Sequence, residues 1–331
     1  MSSLSTNPIA VIDIEELTSA SEAMRAAFNS SGFFYISNHG IDAELIAELR
    51  QQQRTFFSQP DAVKQRIKIN TLNRGYLGYG QAQMHGATRT DEKEVFFWGS
   101  DYGPSDPDRA LGIPMVGDNQ WPESLESFRD VLERYSAEIA RVGNRVLESI
   151  ALSLGANRTA FEPFYERAMT RGQLISYPPT SNHADAFGVA PHTDFGCITL
   201  LLQETEGLQA LVGQHWLNVP PLADTLVVNV GDLLERWTSG LVPSTKHRVV
   251  NASGDARFSV AMFHDPSPTA IVDPALFNVS AHSVLAGAVD ERKRPSHQRY
   301  APVRAADYIL SRNQGAFSHY QKSDTHKETP D

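Results

Sequence analysis

The chain has 331 residues, of which 41% are hydrophobic and 9% are aromatic, and this composition is that of a globular protein rather than a disordered one. Its 39 acidic and 29 basic residues give a net charge of −10, which disfavours nucleic-acid binding and favours a small-molecule partner. The sequence has no apolar run of about 18 residues that could span a membrane and no N-terminal secretory signal, so we expect a cytoplasmic protein without a membrane partner.

The first half of the chain alternates between strand patterns and helix patterns. Strands are predicted over residues 9–14 and in the segment GFFYISNHGI, where His39 is expected to be a structural turn residue. Apolar periodicity and capping signals predict helices over four ranges: 20–30, 42–57, 121–155 and 159–168. The third helix is the clearest, because Pro122 lies near its first turn and Gly155 follows its end.

Residues 70–120 are rich in Gly, Asn, Asp and Pro, and they are predicted to form long loops with one short strand at EVFFWG. Because loops above a rigid core commonly carry substrate contacts, four residues of this stretch are candidates for the rim of a pocket. They are Tyr76, Tyr79, His85 and Phe97. The alternative for each is a solvent or packing position without ligand contact.

From residue 173 onward the sequence predicts a β-rich core. Strand patterns recur at short spacings broken by Gly, Pro, Asn and Asp, which is typical of an all-β sandwich or barrel. The strand segments are QLISYP, CITLLLQE, LQALV, HWLNVP, TLVVNV, HRVVN and RFSVAMF. A short turn or helix is predicted at 231–240 and a further helix at 304–312. The single cysteine, Cys197, is expected to be a buried structural thiol.

Two sets of polar residues in this core indicate a metal site and an anion site. His192 and Asp194 are two residues apart on extended backbone, so both side chains leave the same face. If the intervening strands fold back as closed β-structure, His247 can supply a third ligand. Two imidazoles and one carboxylate with open positions are typical of non-haem Fe(II) oxygenases. Arg257 and Ser259, also two residues apart, suit a carboxylate in a partly buried pocket.

At these residues the sequence resembles the isopenicillin N synthase-like family of Fe(II)/2-oxoglutarate-dependent dioxygenases, whose members carry His-x-Asp, a distal His and Arg-x-Ser in this order. The segments PIAVIDIEEL, GFFYISNHGI, RGYLGYG, DEKEVFFWG and ISYPPT resemble further motifs of the family. The resemblance covers roughly residues 8–265. A lone His-x-Asp would be weak support, whereas several motifs in family order and at family spacing are specific.

The resemblance implies a mainly β protein with flanking helices and a double-stranded β-helix core of the jelly-roll, cupin-like type. It implies a catalytic Fe(II) bound by His192, Asp194 and His247. It also implies that 2-oxoglutarate is held by Tyr177, Arg257 and Ser259. The cosubstrate and O2 would be consumed with release of succinate and CO2, while a small metabolite is hydroxylated, desaturated or ring-closed. Ile175 stands where many plant members have Asn, which weakens one expected cosubstrate contact.

We expect one elaborated domain with three parts. An N-terminal mixed α/β region at 1–170 would pack on the core, and the N-terminal dioxygenase region of the family would occupy about residues 8–120 of it. The jelly-roll core is expected at 171–290, followed by a C-terminal helix and tail at 291–331.

Substrate contacts are expected from four aromatic side chains in loops or on the inner strand face: Tyr76, Phe97, Phe195 and Phe263. Apolar pockets with few polar anchors are the common form of small-molecule sites. The alternative is that these rings only fill the mouth of the barrel.

Two other functions remain open at this point. An oxidase that needs no 2-oxoglutarate, of the isopenicillin N synthase or aminocyclopropane-carboxylate oxidase type, carries the same triad and the same Arg-x-Ser. A non-catalytic jelly-roll module with a structural Zn2+ would require a closed set of four ligands, and no fourth His or Cys accompanies the predicted three.

Overall fold

A computed structural model describes residues 9–82, 90–179, 187–250, 254–277, 300–316 and residue 320. Its centre consists of a large and a small β-sheet. His85, one of the predicted rim residues, lies outside the described residues. Among the described helices, none is both long enough and apolar enough to cross a bilayer.

The N-terminal half supplies short strands and most of the helices. Its strands are β1 (Val11–Asp13), β2 (Phe33–Ser37), β3 (Gly75–Leu77) and β4 (Glu94–Gly99). Its helices are α1 (Leu17–Ser30), α2 (Ala43–Phe57), α3 (Asp61–Lys64), α4 (Pro107–Ala110) and α5 (Phe128–Ser153). Short 3-10 turns lie at Gln65–Ile67 and Glu162–Phe164.

Most helix predictions for this half are confirmed, with shifted ends. Helix α1 begins at Leu17, before the predicted start, and α2 matches its predicted range. Helix α5 begins only at Phe128, because residues 121–127 form turns ahead of it. The helix predicted over 159–168 is wrong, since backbone N–H groups in this segment bond to carbonyls three residues back and give successive turns.

The C-terminal half supplies the remaining strands, and each predicted strand segment is confirmed. These strands are β5 (Met169–Tyr177), β6 (Val189–His192), β7 (Ile198–Gln203), β8 (Leu208–Val212), β9 (His215–Asn218), β10 (Leu226–Val230), β11 (His247–Val249), β12 (Arg257–Asp265), β13 (Ile271–Val272) and β14 (Val303–Arg304). The helices are α6 (Asp232–Trp237) and α7 (Ala305–Ala316), with a 3-10 turn at Pro274–Phe277. The predicted C-terminal helix is therefore confirmed and extends further than expected.

The large sheet has the strand order β1-β2-β10-β7-β12-β5-β4-β3, and the small sheet has the order β6-β11-β8-β9. The pair β1 and β2 is parallel, and the other pairs within these two sheets are antiparallel. Strands from the N-terminal half thus extend the large sheet at both edges. The predicted fold class, a mainly β protein with flanking helices and a double-stranded β-helix core, is confirmed.

Alternation along β12 divides the interior into two layers. Val260 and Met262 belong to a buried cluster that includes side chains of α1, α2 and α5. Ala261, between them in sequence, belongs to a second cluster shared with the small sheet. A slip of one residue in the register of β12 would therefore send Arg257 and Ser259 into the helix layer.

Two residues predicted to be structural have structural roles. Cys197 is a buried free thiol, and burial raises the pKa of that thiol, so it remains protonated at neutral pH. His39 lies in the turn after β2, where its Nδ1 accepts a hydrogen bond of 3.1 Å from the backbone N–H of Ile41.

Candidate metal and cosubstrate site

The three predicted metal ligands meet at the ends of two paired strands of the small sheet. His192 ends β6, His247 begins β11, and the two residues are cross-strand partners with ring centroids 4.2 Å apart. Oδ1 of Asp194 lies 3.8 Å from Nε2 of His192 and 3.6 Å from Nε2 of His247. One donor atom from each residue thus lies within 4.8 Å of the other two, which is close enough for a single ion to contact all three.

Backbone carbonyls fix the orientation of both imidazoles. Nδ1 of His192 lies 2.9 Å from the carbonyl oxygen of Ala190, and Nδ1 of His247 lies 3.2 Å from that of Thr245. Because a carbonyl oxygen only accepts, each Nδ1 donates its proton and each Nε2 keeps its lone pair for a ligand. Burial, and then the neighbouring His247, lowers the pKa of His192 to about 3, so this imidazole is neutral at neutral pH, as a metal ligand must be.

The large sheet holds the carboxylate of Asp194. Thr199 on β7 donates its Oγ1 hydrogen to Oδ2 at 2.5 Å, and Asn229 on β10 donates from Nδ2 to the same oxygen at 2.6 Å. Burial raises the pKa of Asp194, but the two imidazoles and these two hydrogen bonds outweigh burial, and the net shift is downward. The carboxylate is therefore charged, with Oδ1 directed at the imidazoles.

This donor set fits Fe(II). Two neutral imidazole nitrogens and one carboxylate oxygen lie together on the wall of a cavity, which is the facial arrangement of non-haem Fe(II) oxygenases. Within the described part of the chain, this triad is the only group of three or more His, Cys, Asp or Glu side chains placed to hold a metal. A closed four-ligand Zn2+ site, as the binding-module alternative requires, is not formed by the described residues.

A second polar cluster surrounds Arg257, which is 1% exposed at the start of β12. Its guanidinium donates to Oγ of Ser259 at 3.1 Å, to Oε1 of Gln203 at 3.2 Å and to the carbonyl of Glu206 at 3.2 Å. The guanidinium carbon lies 4.7 Å from the ring centroid of Tyr177. None of these described partners is a carboxylate that could balance the positive charge. Burial lowers the pKa of Arg257. Because an uncompensated buried cation is unfavourable, the cluster is suited to an anionic ligand.

Strand register separates the two clusters along the large sheet. Thr199, which binds Asp194, is the cross-strand partner of Phe263, and Gln203, which binds Arg257, is the partner of Ser259. The two levels are four residues apart on β7 (203 − 199 = 4), which corresponds to roughly 13 Å of extended chain. A metal and an anion can therefore occupy different parts of one site.

A single cavity, open to solvent, joins the two clusters. The predicted metal ligands, the predicted cosubstrate residues and two of the predicted aromatic residues line it: His192, Asp194, His247, Tyr177, Arg257, Ser259, Phe195 and Phe263. Ile175 also lines the cavity, and its apolar side chain offers no hydrogen bond to a ligand.

Tyr76 and Phe97 are not among the residues that line this cavity. The ring of Tyr76 packs against Phe56 with centroids 6.0 Å apart, and its hydroxyl donates to Oε2 of Glu94 at 2.6 Å. Both the ring and the hydroxyl of Tyr76 thus have partners within the described structure. Phe97 lines a smaller neighbouring space, and Tyr79 is 55% exposed on the surface.

Several polar residues that line the cavity were not found from the sequence. They are Lys93, Arg171, Thr199, Asn229 and Asn313. Strand periodicity could have identified Arg171, because the β5 face that carries Gln173, Ile175 and Tyr177 continues to residue 171. No local pattern marks Asn313, since α7 reaches the cavity only through the tertiary fold.

Known protein families match both halves of the chain. The family described as non-haem dioxygenase in morphine synthesis, N-terminal, matches residues 9–124. The 2OG-Fe(II) oxygenase superfamily matches residues 165–266. The second match includes the triad, Tyr177, Arg257 and Ser259.

Individual relatives agree with these matches. The 2-oxoglutarate-dependent dioxygenase caaD of Aspergillus niger is 35% identical over 249 residues, which cover 72% of this chain and 76% of that protein. Homoarginine-6-hydroxylase 2-ODD-233 of Oryza sativa is 34% identical, and the match covers 81% of this chain and 84% of that protein.

The fold has solved counterparts. A 2OG-Fe(II) oxygenase family protein from Caulobacter crescentus is 27% identical, and the two structures superpose with a TM-score of 0.79 over 93% of this chain and 99% of that chain. Sequence, fold and the geometry of the His-Asp-His triad thus agree. The chain belongs to the 2OG-Fe(II) oxygenase superfamily and is a 2-oxoglutarate-dependent dioxygenase that uses Fe(II), 2-oxoglutarate and O2.

Proposed function

We propose that the cavity between the two sheets is the active site, in which Fe(II) is held by His192, Asp194 and His247 and a small-molecule metabolite is oxidised. The observation that carries this proposal is the continuity of one cavity from the triad to Arg257. A 2-oxo diacid that chelates the metal requires a metal site and a cation for its far carboxylate. Among the described residues, the triad offers the first, and Arg257, a buried cation without an acidic partner, offers the second.

Arg257 and Ser259 bind the far carboxylate of 2-oxoglutarate in this proposal. The guanidinium offers a planar fork of N–H donors. Ser259 accepts from Nη1 of Arg257, so its own hydroxyl hydrogen is available to the carboxylate. Tyr177, whose ring lies beside the guanidinium, closes this end of the cavity and orients the fork.

His192, Asp194 and His247 would hold the metal, and the adjoining cavity would give 2-oxoglutarate and the substrate access to it. Bound Fe(II) supplies the oxidation chemistry, in which 2-oxoglutarate and O2 are converted to succinate and CO2 while the substrate is oxidised. Thr199 and Asn229 fix the rotation of the Asp194 carboxylate, so that Oδ1 faces the metal position. Apolar side chains of the cavity wall exclude water from the reacting groups.

The substrate is a small molecule in this proposal. Phe195 and Phe263 supply apolar surface in the cavity beside the triad, and apolar pockets with few polar anchors are the common form of small-molecule sites. The net charge of −10 disfavours polyanionic substrates. One of the relatives is named for the hydroxylation of homoarginine, itself a small molecule.

We propose that the parts predicted at 1–170 and 171–290 work as one unit. Strand β2 pairs with β10 and strand β4 pairs with β5 of the jelly-roll core, while β1 and β3 extend the large sheet beyond them. The register between β4 and β5 places Glu94 opposite Ser176 and Phe97 opposite Gln173, so the N-terminal part stabilises the strand that carries Tyr177.

Succinate formation tests the proposed reaction. With Fe(II), O2 and a metabolite extract, succinate should accumulate as 2-oxoglutarate is consumed, and both should stop when the metal is chelated. Omission of 2-oxoglutarate should abolish product, which separates this reaction from the oxidase alternative. Product formed at an undiminished rate without any 2-oxo acid would contradict the proposal.

Truncation of Phe263 or Phe195 to alanine tests the location of the substrate. Each change should raise the substrate KM by roughly thirtyfold, because burial of a large apolar side chain contributes about 2 kcal/mol, while 2-oxoglutarate affinity should change little. Phe258→Ala is the matched control, since Phe258 lies on the same strand and packs with the helix layer. If both truncations leave KM and product distribution unchanged, the substrate binds elsewhere.

A further inference from the structure

A smaller space adjoins the active-site cavity, and the roles proposed above do not use it. The two spaces share four lining residues: Arg171, Gln173, Phe263 and Asn313. The smaller space is lined in addition by Asn73, Arg74, Phe97 and Trp98. We call it the Arg74–Arg171 pocket, because two guanidinium groups, neutral amides and aromatic rings form its wall.

Arg74 is a fully buried cation whose described hydrogen-bond partners are backbone carbonyls. Nη1 donates to Leu72 at 2.9 Å and Asn73 at 3.2 Å, and Nη2 donates to Met115 at 3.2 Å. Nε is buried and has no hydrogen-bond partner among the described residues. Burial, and then repulsion from Arg171, lowers the pKa of Arg74 to about 10, so the group remains charged at neutral pH.

Arg171 adds a second positive charge to the same wall. Its Nη2 and Nε both donate to Oδ2 of Asp265, at 2.6 and 3.1 Å, and its guanidinium carbon lies 5.0 Å from the ring centroid of Phe263. In the described part of the chain, Asp265 is the one carboxylate in contact with either guanidinium. Asp101 also acts electrostatically on Arg74, but more weakly than Arg171 does, so positive charge predominates at this wall.

Strand register places Arg171 beside the metal rather than beside the cosubstrate anchor. Arg171 is the cross-strand partner of Phe263, and Phe263 is also the partner of Thr199, which binds Asp194. On β5, Arg171 is six residues from Tyr177 (177 − 171 = 6), or roughly 20 Å of extended chain. An anion at Arg171 is therefore separate from the carboxylate held by Arg257.

A purely structural role explains only part of this arrangement. Arg171 balances the charge of Asp265, and Arg74 ties its loop to backbone carbonyls. Neither role accounts for an excess of positive charge at the edge of the active site. This excess fits a bound anion, because charge-assisted hydrogen bonds to an anion would offset the repulsion between the guanidiniums.

We propose that the Arg74–Arg171 pocket binds the carboxylate of the prime substrate, which is a small monocarboxylic acid with an apolar body packed between Phe195 and Phe263. This inference rests on the proposed function, since it assigns the oxidised molecule to the same cavity. Anchoring the carboxylate at the level of the triad places the apolar body next to the metal, and oxidation therefore falls on carbon atoms of that body.

Paired acids and amides test the inference on the unmodified protein. The enzyme is loaded anaerobically with Fe(II) and saturating 2-oxoglutarate, so that Arg257 is occupied. Calorimetric titrations then compare benzoate, phenylacetate and 3-phenylpropanoate with their primary amides. At least one acid should bind about tenfold or more tightly than its amide, because hydrogen bonds to charged groups are worth more than neutral ones. No preference for any acid would overturn the inference.

Two variants locate the preference. Arg74→Gln removes one charge, and the double change Arg171→Gln with Asp265→Asn removes an ion pair without leaving a buried carboxylate unpaired. Each should reduce the preference for the acid severalfold, while Arg74→Lys should retain part of it. Arg25→Gln is the matched control, because Arg25 also donates to a backbone carbonyl, that of Ser153, and lines neither space.

The outcomes separate this inference from the proposed function. Affinity for 2-oxoglutarate should be unchanged in the Arg74 and Arg171 variants, since neither residue contacts Arg257. An acid preference that persists in every variant would overturn the assignment of the pocket. If the unmodified protein binds 2-oxoglutarate and iron but shows no acid preference, only the inference fails. If it binds neither, the proposed function itself fails.

Discussion

Replacement of His247 by alanine should abolish 2-oxoglutarate-dependent turnover and weaken Fe(II) binding by at least about a hundredfold, since even residues that only orient a ligand are worth 10- to 100-fold. His247 contributes one of the three donor atoms, and its Nδ1 is already committed to the carbonyl of Thr245. Metal content and succinate formation are the two measurements. Global unfolding is not expected, because the loss of one partly packed imidazole costs about 1–3 kcal/mol.

The exposed His215 on β9 provides the matched control. His215→Ala removes the same functional group from the same sheet without touching the cavity, and it should leave iron binding and turnover at the level of the unmodified protein. A His247→Ala variant that keeps full activity with iron supplied would remove this residue from the metal site. Equal losses in both variants would indicate a general effect of the substitution on the sheet.

The core strands were predictable because short-range patterns and the fold agree there. In the segment RFSVAMF, which lies on β12, successive side chains face the helix layer and the cavity in turn. Two members of the triad were predictable because His192 and Asp194 are only two residues apart, at the end of β6. Only the third ligand, His247, required a tertiary assumption, and the pairing of β11 with β6 supplies it.

Other parts of the structure depend on contacts that no local pattern encodes. The segment 159–168 has helical composition, yet turn hydrogen bonds between near neighbours dominate it. Tyr76 lies in a loop-rich stretch whose composition is typical of a pocket rim. In the structure its hydroxyl donates to Glu94 on the adjacent strand, and its ring packs against Phe56 on α2. Loop composition indicates exposure on average, whereas strand pairing decides where one ring is buried.

The Arg74–Arg171 pocket is a further feature that local sequence patterns do not predict. Arg74 belongs to the predicted motif RGYLGYG, and Arg171 lies at the start of a predicted strand region. Their shared wall exists because β3, β4 and β5 are neighbours in the large sheet. Charged residues from distant segments thus converge on a site that hydrophobic patterning alone does not reveal.

Replacement of Arg257 by lysine should raise the KM and Kd for 2-oxoglutarate by roughly 10- to 100-fold, which corresponds to the 1.5–3 kcal/mol of a hydrogen bond to a charged group. The ammonium group keeps the charge but cannot reproduce the planar fork that donates at once to Ser259 and to a carboxylate. Iron affinity should be unchanged, because Thr199, which binds Asp194, and Gln203, which binds Arg257, lie four residues apart on β7 (203 − 199 = 4). Anaerobic titration with Fe(II) and 2-oxoglutarate measures both affinities in one sample.

Arg145→Lys is the matched control for this change, because Arg145 on α5 also donates to backbone carbonyls, those of Ile14 and Glu15, and lies outside the cavity lining. It should leave both affinities unaltered. A second variant, Ser259→Ala, removes the hydroxyl that accepts from Nη1 of Arg257 and should give a smaller loss in the same direction. Unchanged 2-oxoglutarate affinity in Arg257→Lys would place the far carboxylate elsewhere in the cavity. Arg171 would then be the next candidate, because it is the other arginine that lines this space.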